Sequence, residues 1–180
     1  MTVVPGVTEI HDEAMNSWRE FPERPVVGIG GVVIEDGRAL LVRRGTEPMK
    51  GQWSIPGGTL ELGETLVHGV LRELLEETGA EVRVLGLIDV FERIFPYGSE
   101  GSETAGGRAE ASNGPASRRP RYHFVVLDYL CERTGGKLRP GSDVTAVAMA
   151  RQDELLSYHL SEAALRVLHK AFAMVNSNAL

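Results

Sequence analysis

Residues 58 to 80 read Gly-Thr-Leu-Glu-Leu-Gly-Glu-Thr-Leu-Val-His-Gly-Val-Leu-Arg-Glu-Leu-Leu-Glu-Glu-Thr-Gly-Ala. At about 100° per residue, Glu73, Glu76 and Glu77 fall within one arc of a helix, while Val67, Val70, Leu71 and Leu74 fall on another. One face is expected to pack and the other to present carboxylates. Gly63 and Glu64 are expected to open the helix with an acid in its first turn, and Gly79 to end it in a left-handed conformation. Gly69 projects near the acidic arc; its missing side chain costs about 1 kcal/mol of helix propensity relative to alanine and leaves room for close approach.

Like charges this close repel unless a cation neutralises them, and Arg72 alone does not balance three glutamates. Oxygen donors in this number suit a hard divalent cation such as Mg2+, which keeps several waters and binds through a few carboxylates together with substrate phosphates. No histidine or thiolate stands in the arc, which disfavours zinc. A metal bridged to phosphate points to phosphoryl chemistry. The competing reading is a solvated acidic face with an Arg72 to Glu76 pair one turn apart.

The spacing weighs against that alternative: Gly58, five residues, Glu64, seven residues, then Arg72-Glu73-Leu74-Leu75-Glu76-Glu77-Thr78-Gly79. This resembles the signature box of the Nudix hydrolases. Ala80 departs from it, standing where the family usually has a larger aliphatic residue. The resemblance extends over roughly residues 25 to 175, through Arg24-Pro25-Val26-Val27-Gly28-Ile29-Gly30-Gly31 and Gly51-Gln52-Trp53-Ser54-Ile55-Pro56-Gly57-Gly58. Leu41-Val42-Arg43-Arg44, the Trp53 segment, Arg121-Tyr122-His123-Phe124 and Asp128-Tyr129 are most similar to the group described as ADP-ribose pyrophosphatase-like.

The resemblance implies that Glu73 and Glu77, with Glu76, ligate the metal, that the Gly58 carbonyl helps to hold it, and that Arg72 orients the carboxylates. Glu64 would support the outer shell or a second ion. The implied cofactor is Mg2+, with Mn2+ as a substitute. The implied reaction is attack of water on a phosphorus of a nucleoside diphosphate linked to another group, ADP-ribose-like, releasing two phosphorylated products. Family members draw their base from the box or from a later loop, so Glu76 and Asp143 are the two candidates. Around Asp143 the chain has Ala, Val and Met where similar sequences carry another acid and a tryptophan. A loop aspartate is also a common turn former.

Candidate substrate contacts are Arg43, Arg44, Trp53 and Arg121. Strand alternation sends Arg43 and Arg44 to opposite faces, and Arg44 is favoured. Trp53, Phe91, Phe95 and Tyr122 can stack a nucleobase, with core packing as the competing reading of each. His123, on an apolar strand, reads as a satisfied structural histidine, and His68 as solvated.

With 180 residues, 42% hydrophobic and 24% charged, the chain has room for one domain with a sizeable core. A net charge of -6 argues against broad nucleic-acid binding. The expected partner is therefore a nucleotide-derived small molecule, without nucleic acid or membrane, and a homodimer is compatible. The single cysteine, Cys131, excludes an internal disulfide and reads as a buried, inert thiol. No secretory pattern opens the sequence and no apolar run approaches a membrane span, so a cytoplasmic location is expected.

The expected organisation is an arm over residues 1 to 23 and a domain over 24 to 176. Val26 to Ile34 and Ala39 to Arg43 form a hairpin about Asp36-Gly37; Glu81 to Phe95, Tyr122 to Glu132 and Val144 to Ala150 form further strands. Asp153 to Ser157 gives a helical turn, and Ser161 caps a last helix burying Ala164, Leu165, Leu168, Phe172 and Val175. Residues 97 to 120, rich in Gly, Ser, Ala, Glu and Arg, read as a flexible loop, either an unstructured insertion or a lid bringing Arg118, Arg119 or Arg121 to phosphate. The implied fold class is α/β (α+β): a Nudix-type α/β/α sandwich with a mixed sheet between helices. Rival functions are a pyrophosphohydrolase of nucleoside triphosphates or dinucleoside polyphosphates, and a non-catalytic nucleotide sensor.

Overall fold

The computed structural model describes residues 19–47, 49–95, 120–141 and 143–177. The expected arm up to residue 18 and the expected loop from 97 to 119 lie outside the described residues. In chain order the elements are β1 (Val26–Glu35), β2 (Arg38–Arg44), β3 (Trp53–Ser54), β4 (Gly57–Thr59), α1 (Leu66–Thr78), β5 (Glu81–Phe95), β6 (Tyr122–Gly135), β7 (Val144–Arg151), a 3-10 helix (Gln152–Tyr158) and α2 (Glu162–Ser177). The strands form a seven-stranded sheet of order β3-β2-β1-β6-β5, with β4 pairing β1 and β7 pairing β2.

The hairpin follows from its turn. Asp36 and Gly37 both take positive φ, 50° and 70°, matching the right-handed twist of the flanking strands, and they set Glu35 opposite Arg38 and Ile34 opposite Ala39. β7 lies antiparallel to β2 from Arg38↔Arg151 to Arg44↔Val144, with a register shift at Arg43/Arg44. The short strands β3 and β4 carry too few residues for a periodic signal, yet β4 places the paired glycines: Gly57 opposite Gly30, and Gly58 opposite Ile29.

Contacts divide the chain into two compact units, Met1–Val26 with Glu92–Phe124, and Val27–Phe91 with Val125–Leu180. The second unit holds two cores. Ile29, Val33, Leu40, Val82 and Cys131 pack with Val70 and Leu74 of α1. Val32, Leu41 and Leu130 pack with Val167, Leu168, Ala171 and Phe172 of α2. Alternation along β1 and β2 supplies one core from each face, so a helix layer covers each side of this sheet. In the first unit Phe95 meets Tyr122 edge-on with centroids 5.9 Å apart, Tyr122 lies nearly parallel to Phe124, and Arg121 pairs with Glu20 at 2.8 Å.

Helix α1 departs from its expected start. Thr65 is the N-cap, its hydroxyl accepting from the His68 N–H at 3.2 Å, and no acid stands in the first turn. Gly63, at φ 84°, turns the chain so that Glu64 stays outside the helix. Val67 is exposed rather than packed, and Leu66 joins the core cluster instead. At the other end Gly79 caps at φ 69° as expected, its N–H donating to Leu75 O. β6 runs past Glu132 to Gly135, one strand residue follows Ala150 in β7, and Ser161 Oγ accepts from the Ala164 N–H at 3.2 Å at the start of α2. Val167 and Ala171 are buried on α2, with Leu165 and Val175 only partly so.

Burial pushes the Cys131 thiol up to about 12, consistent with an inert core position. His123 differs from expectation: its Nε2 is buried and has no hydrogen-bond partner among the described residues. Among the described residues, no helix is long and apolar enough to cross a membrane.

The packing predicts a contrast within one segment. Leu74 is fully buried and Leu62 fully exposed. Leu74→Ala should cost roughly 2–5 kcal/mol in urea denaturation and Leu62→Ala under about 0.5 kcal/mol. Equal midpoints would contradict the assignment of α1 to the core.

Candidate active site

The site grows from the sequence around α1. The helix packs on β1 through Val70 and Leu74, which turns Arg72, Glu73 and Glu76 away from that core. Gly69 is buried against Ile29, Leu60 and Glu64, so the close approach it permits is by the sheet and the Glu64 turn.

Arg72 is the hub. Its Nε and Nη2 donate to the two Glu64 oxygens, both at 2.9 Å, a bidentate pair. Nη1 donates to Glu73 Oε1 at 2.8 Å and Glu76 Oε2 at 3.3 Å, and Nη2 also reaches Thr59 O at 3.2 Å. One guanidinium therefore ties three carboxylates to the carbonyl just after Gly58. The Arg72 hydrogen bond holds the Glu64 carboxyl below its usual range, and Glu64 in turn raises the Arg72 pKa further. Glu64, expected in the first helical turn, is thus an outer support for Arg72.

Glu73 and Glu77 flank β4. A Cβ on Gly58 would overlap the Glu73 carboxylate, so only glycine fits there while that carboxylate keeps its place. Glu77 lies on the border between the acidic arc and the packed stripe, and it is 9% exposed. One of its oxygens accepts from the Gly57 N–H at 2.8 Å. Burial pushes the Glu77 carboxyl up to about 8, with the charges of Glu73 and Asp143 adding to the shift and the Gly57 N–H and Arg44 opposing it. Glu76 points outward, with its side chain 58% exposed.

The remaining candidates divide. Arg44 acts electrostatically on Glu77, whereas Arg43 is exposed and donates through Nε to Gly51 O at 2.9 Å. Asp143 is exposed, and its carbonyl accepts from the Gly45 N–H at 2.8 Å. Trp53 is half-buried, packs against the α2 core and meets Tyr158 edge-on at 5.1 Å. Arg121 belongs to the first unit, where it pairs with Glu20 and lies over the Tyr122 ring. The Gly57 N–H and the Thr59 carbonyl escaped sequence reasoning; the doubled glycine before Thr59 is the signal that could have found them. Asp128 is buried on β6 against Gly30, a position sequence reading did not single out for chemistry.

The donors suit a hard divalent cation by their chemistry: the carboxylates of Glu73, Glu76 and Glu77, with the carbonyl of Gly58, a residue whose missing side chain leaves the space the Glu73 carboxylate takes. A buried, acid-flanked carboxylate such as Glu77 is one whose charged form a cation would favour. Among the described residues no three His, Cys, Asp or Glu side chains converge closely enough to enclose an ion. Arg72 carries the charge compensation for Glu64, Glu73 and Glu76 in this arrangement.

A family model described as the NUDIX domain matches residues 23–170. An ADP-ribose pyrophosphatase of Methanocaldococcus jannaschii is 30% identical over 119 residues, 66% of this chain and 57% of that protein. A MutT-like protein of Streptomyces ambofaciens is 35% identical over 143 residues, 79% of this chain and 74% of the relative. The chain thus spans little more than half the length of the first of these and about three quarters of the second. In structure, a MutT NUDIX hydrolase from Burkholderia pseudomallei aligns with TM-score 0.62 and 27% identity, covering 82% of this chain and 98% of that one. With the matched domain spanning most of its length and the acidic helix in place, the chain belongs to the Nudix hydrolase family.

Proposed function

We propose that this chain is a divalent-metal-dependent pyrophosphohydrolase that cleaves the diphosphate of a nucleoside diphosphate linked to another group, most like ADP-ribose. The observation that carries this reading is the anchoring of Glu73 against Gly58 and of Glu77 on the Gly57 N–H, on a helix whose remaining acid, Glu76, pairs with Arg72. The name of the M. jannaschii relative supports the substrate class.

Glu73, Glu77 and Glu76, with the Gly58 carbonyl, would hold Mg2+, or Mn2+ in its place. The ion, when bound, supplies neutralisation of phosphate charge and a lowered pKa for water. The chain's own contribution is placement. Arg72 fixes the Glu73 carboxylate by a charge-assisted bond and keeps the exposed Glu76 on the same side of the helix. Glu76 is the accessible carboxylate for taking a proton from water, and Asp143 is the alternative on its loop. Arg44, whose charge already acts on Glu77, would meet a substrate anion. A non-catalytic sensor would not need the full acidic set retained here.

A substrate panel with Mg2+ tests the reading. AMP release from ADP-ribose should outpace pyrophosphate release from nucleoside triphosphates; the reverse order would reject the substrate class, and no hydrolysis of either would reject the enzyme. Glu76→Gln and Glu77→Gln should each lower kcat roughly 100-fold or more while leaving the far-ultraviolet circular dichroism unchanged. Normal turnover in either variant would remove that residue from the site.

Protonation of Glu77 gives a separate expectation. Burial pushes its carboxyl up to about 8 from the ordinary 4.5, so its favourable contribution is complete below 4.5 and is lost as pH rises through 8. In chelator-treated protein, the melting temperature should therefore fall across that window, and Glu77→Gln should flatten the fall. Added Mg2+ should stabilise most at the upper end. An identical pH profile in the variant would show that Glu77 does not carry the effect.

A further inference from the structure

The last turn of α1 is held from outside by the segment that leads into Asp143. The final carbonyls of a helix have no partner within it. Here Gly79 N–H donates to Leu75 O at 2.9 Å, Arg139 N–H to Thr78 O at 2.9 Å, and Gly141 N–H to Glu77 O at 2.8 Å. The segment from Gly136 to Gly141 is therefore strapped along the end of the acidic helix. The fit at Gly141 allows no side chain: a Cβ there would overlap Glu76 O and lie 3.1 Å from Glu77 Cα. Two residues on, Asp143 O accepts from the Gly45 N–H at 2.8 Å, next to Arg44 at the end of β2. A Cβ on Gly45 would come within 2.9 Å of that same oxygen.

Resting on the functional reading above, in the form in which Asp143 rather than Glu76 takes the proton from water, we propose that Gly141 is a positioning residue, whose backbone contact with Glu76 and Glu77 sets Asp143 beside the metal-binding end of α1. The helix does not depend on the strap for its own placement, because Val70 and Leu74 fix it to the sheet and the Gly57 N–H holds Glu77. The Asp143 loop does depend on it, through Gly141 on one side and Gly45 on the other. An alanine at 141 must push the strap off the helix, since the atoms it meets are backbone. Misplacing a reacting group by about 1 Å can cost roughly 100-fold in rate.

The test is a double-mutant cycle on the full chain with Mg2+ and ADP-ribose, combined with Mn2+ titration followed by electron paramagnetic resonance without nucleotide. Gly141→Ala should lower kcat at least roughly 10-fold, with KM and Mn2+ affinity within about threefold of wild type. Asp143→Asn should also lower kcat, and the double variant should be no slower than the slower single variant. Lys137→Ala, an exposed side chain on the same strap, should behave as wild type. Wild-type kcat in Gly141→Ala, wild-type kcat in Asp143→Asn, or losses that multiply in the double variant would each overturn the proposal. Should Gly141→Ala fail to fold, Gly45→Ala moves Asp143 from the other side and should show the same kcat loss and the same coupling to Asp143→Asn; normal turnover there would overturn it equally. Failure of the wild type to hydrolyse ADP-ribose would instead sink the functional reading, and the positioning role with it.

Discussion

The structure around the site depends on one guanidinium. Arg72 binds Glu64 with both of its edge nitrogens and also reaches Glu73, Glu76 and the carbonyl of Thr59. Without it, several carboxylates would face one another across a helix end and a glycine turn. Such mutual repulsion disfavours the folded arrangement, and a planar, permanently charged fork is the side chain best suited to offset it from several directions at once. An isolated exposed ion pair would contribute little. A network in which the arginine is only 22% exposed and shared among three acids is a different case, because removing its centre breaks all three ion pairs at once, two of them with partly buried carboxylates.

Arg72 does not serve Glu77, and the difference has chemical content. Glu73 and Glu76 are hydrogen-bonded to a cation within the protein, whereas Glu77 accepts a hydrogen bond from a backbone N–H, with the through-space charge of Arg44 set against its burial. The folded chain thus keeps one carboxyl reluctant to ionise beside acids that are already compensated. A divalent ion arriving here would relieve the burial cost of Glu77 and add to what Arg72 already provides. Folding and metal binding are linked in this picture through a single buried group, while α1 is held in place by the apolar contacts of Val70 and Leu74.

Much of this was legible in the residues. Helical spacing placed the glutamates and the packed stripe, Gly79 marked the helix end, and Asp36-Gly37 marked the hairpin, because each rests on local geometry. The start of α1 was misread since Glu64 looks like a favourable first-turn acid, and only the long-range reach of Arg72 shows why it stays outside. Val67 falls on the apolar arc but not under the sheet, because burial depends on where the neighbouring layer ends. The two-residue and three-residue strands β3 and β4 are too short for periodicity, so the Gly57 N–H on Glu77 could not be found from spacing. The docking of Gly141 on Glu76 and Glu77 joins positions far apart in sequence and has no local signal at all.

The central claim is that the acids gathered at the end of α1 take up a divalent ion. Isothermal titration of Mg2+ into chelator-treated protein, with a non-hydrolysable ADP-ribose analogue present, tests it most directly. Saturable uptake that disappears in Glu73→Gln and Glu77→Gln is the predicted result. Absence of uptake by the wild type, or uptake unchanged in both variants, would contradict the account.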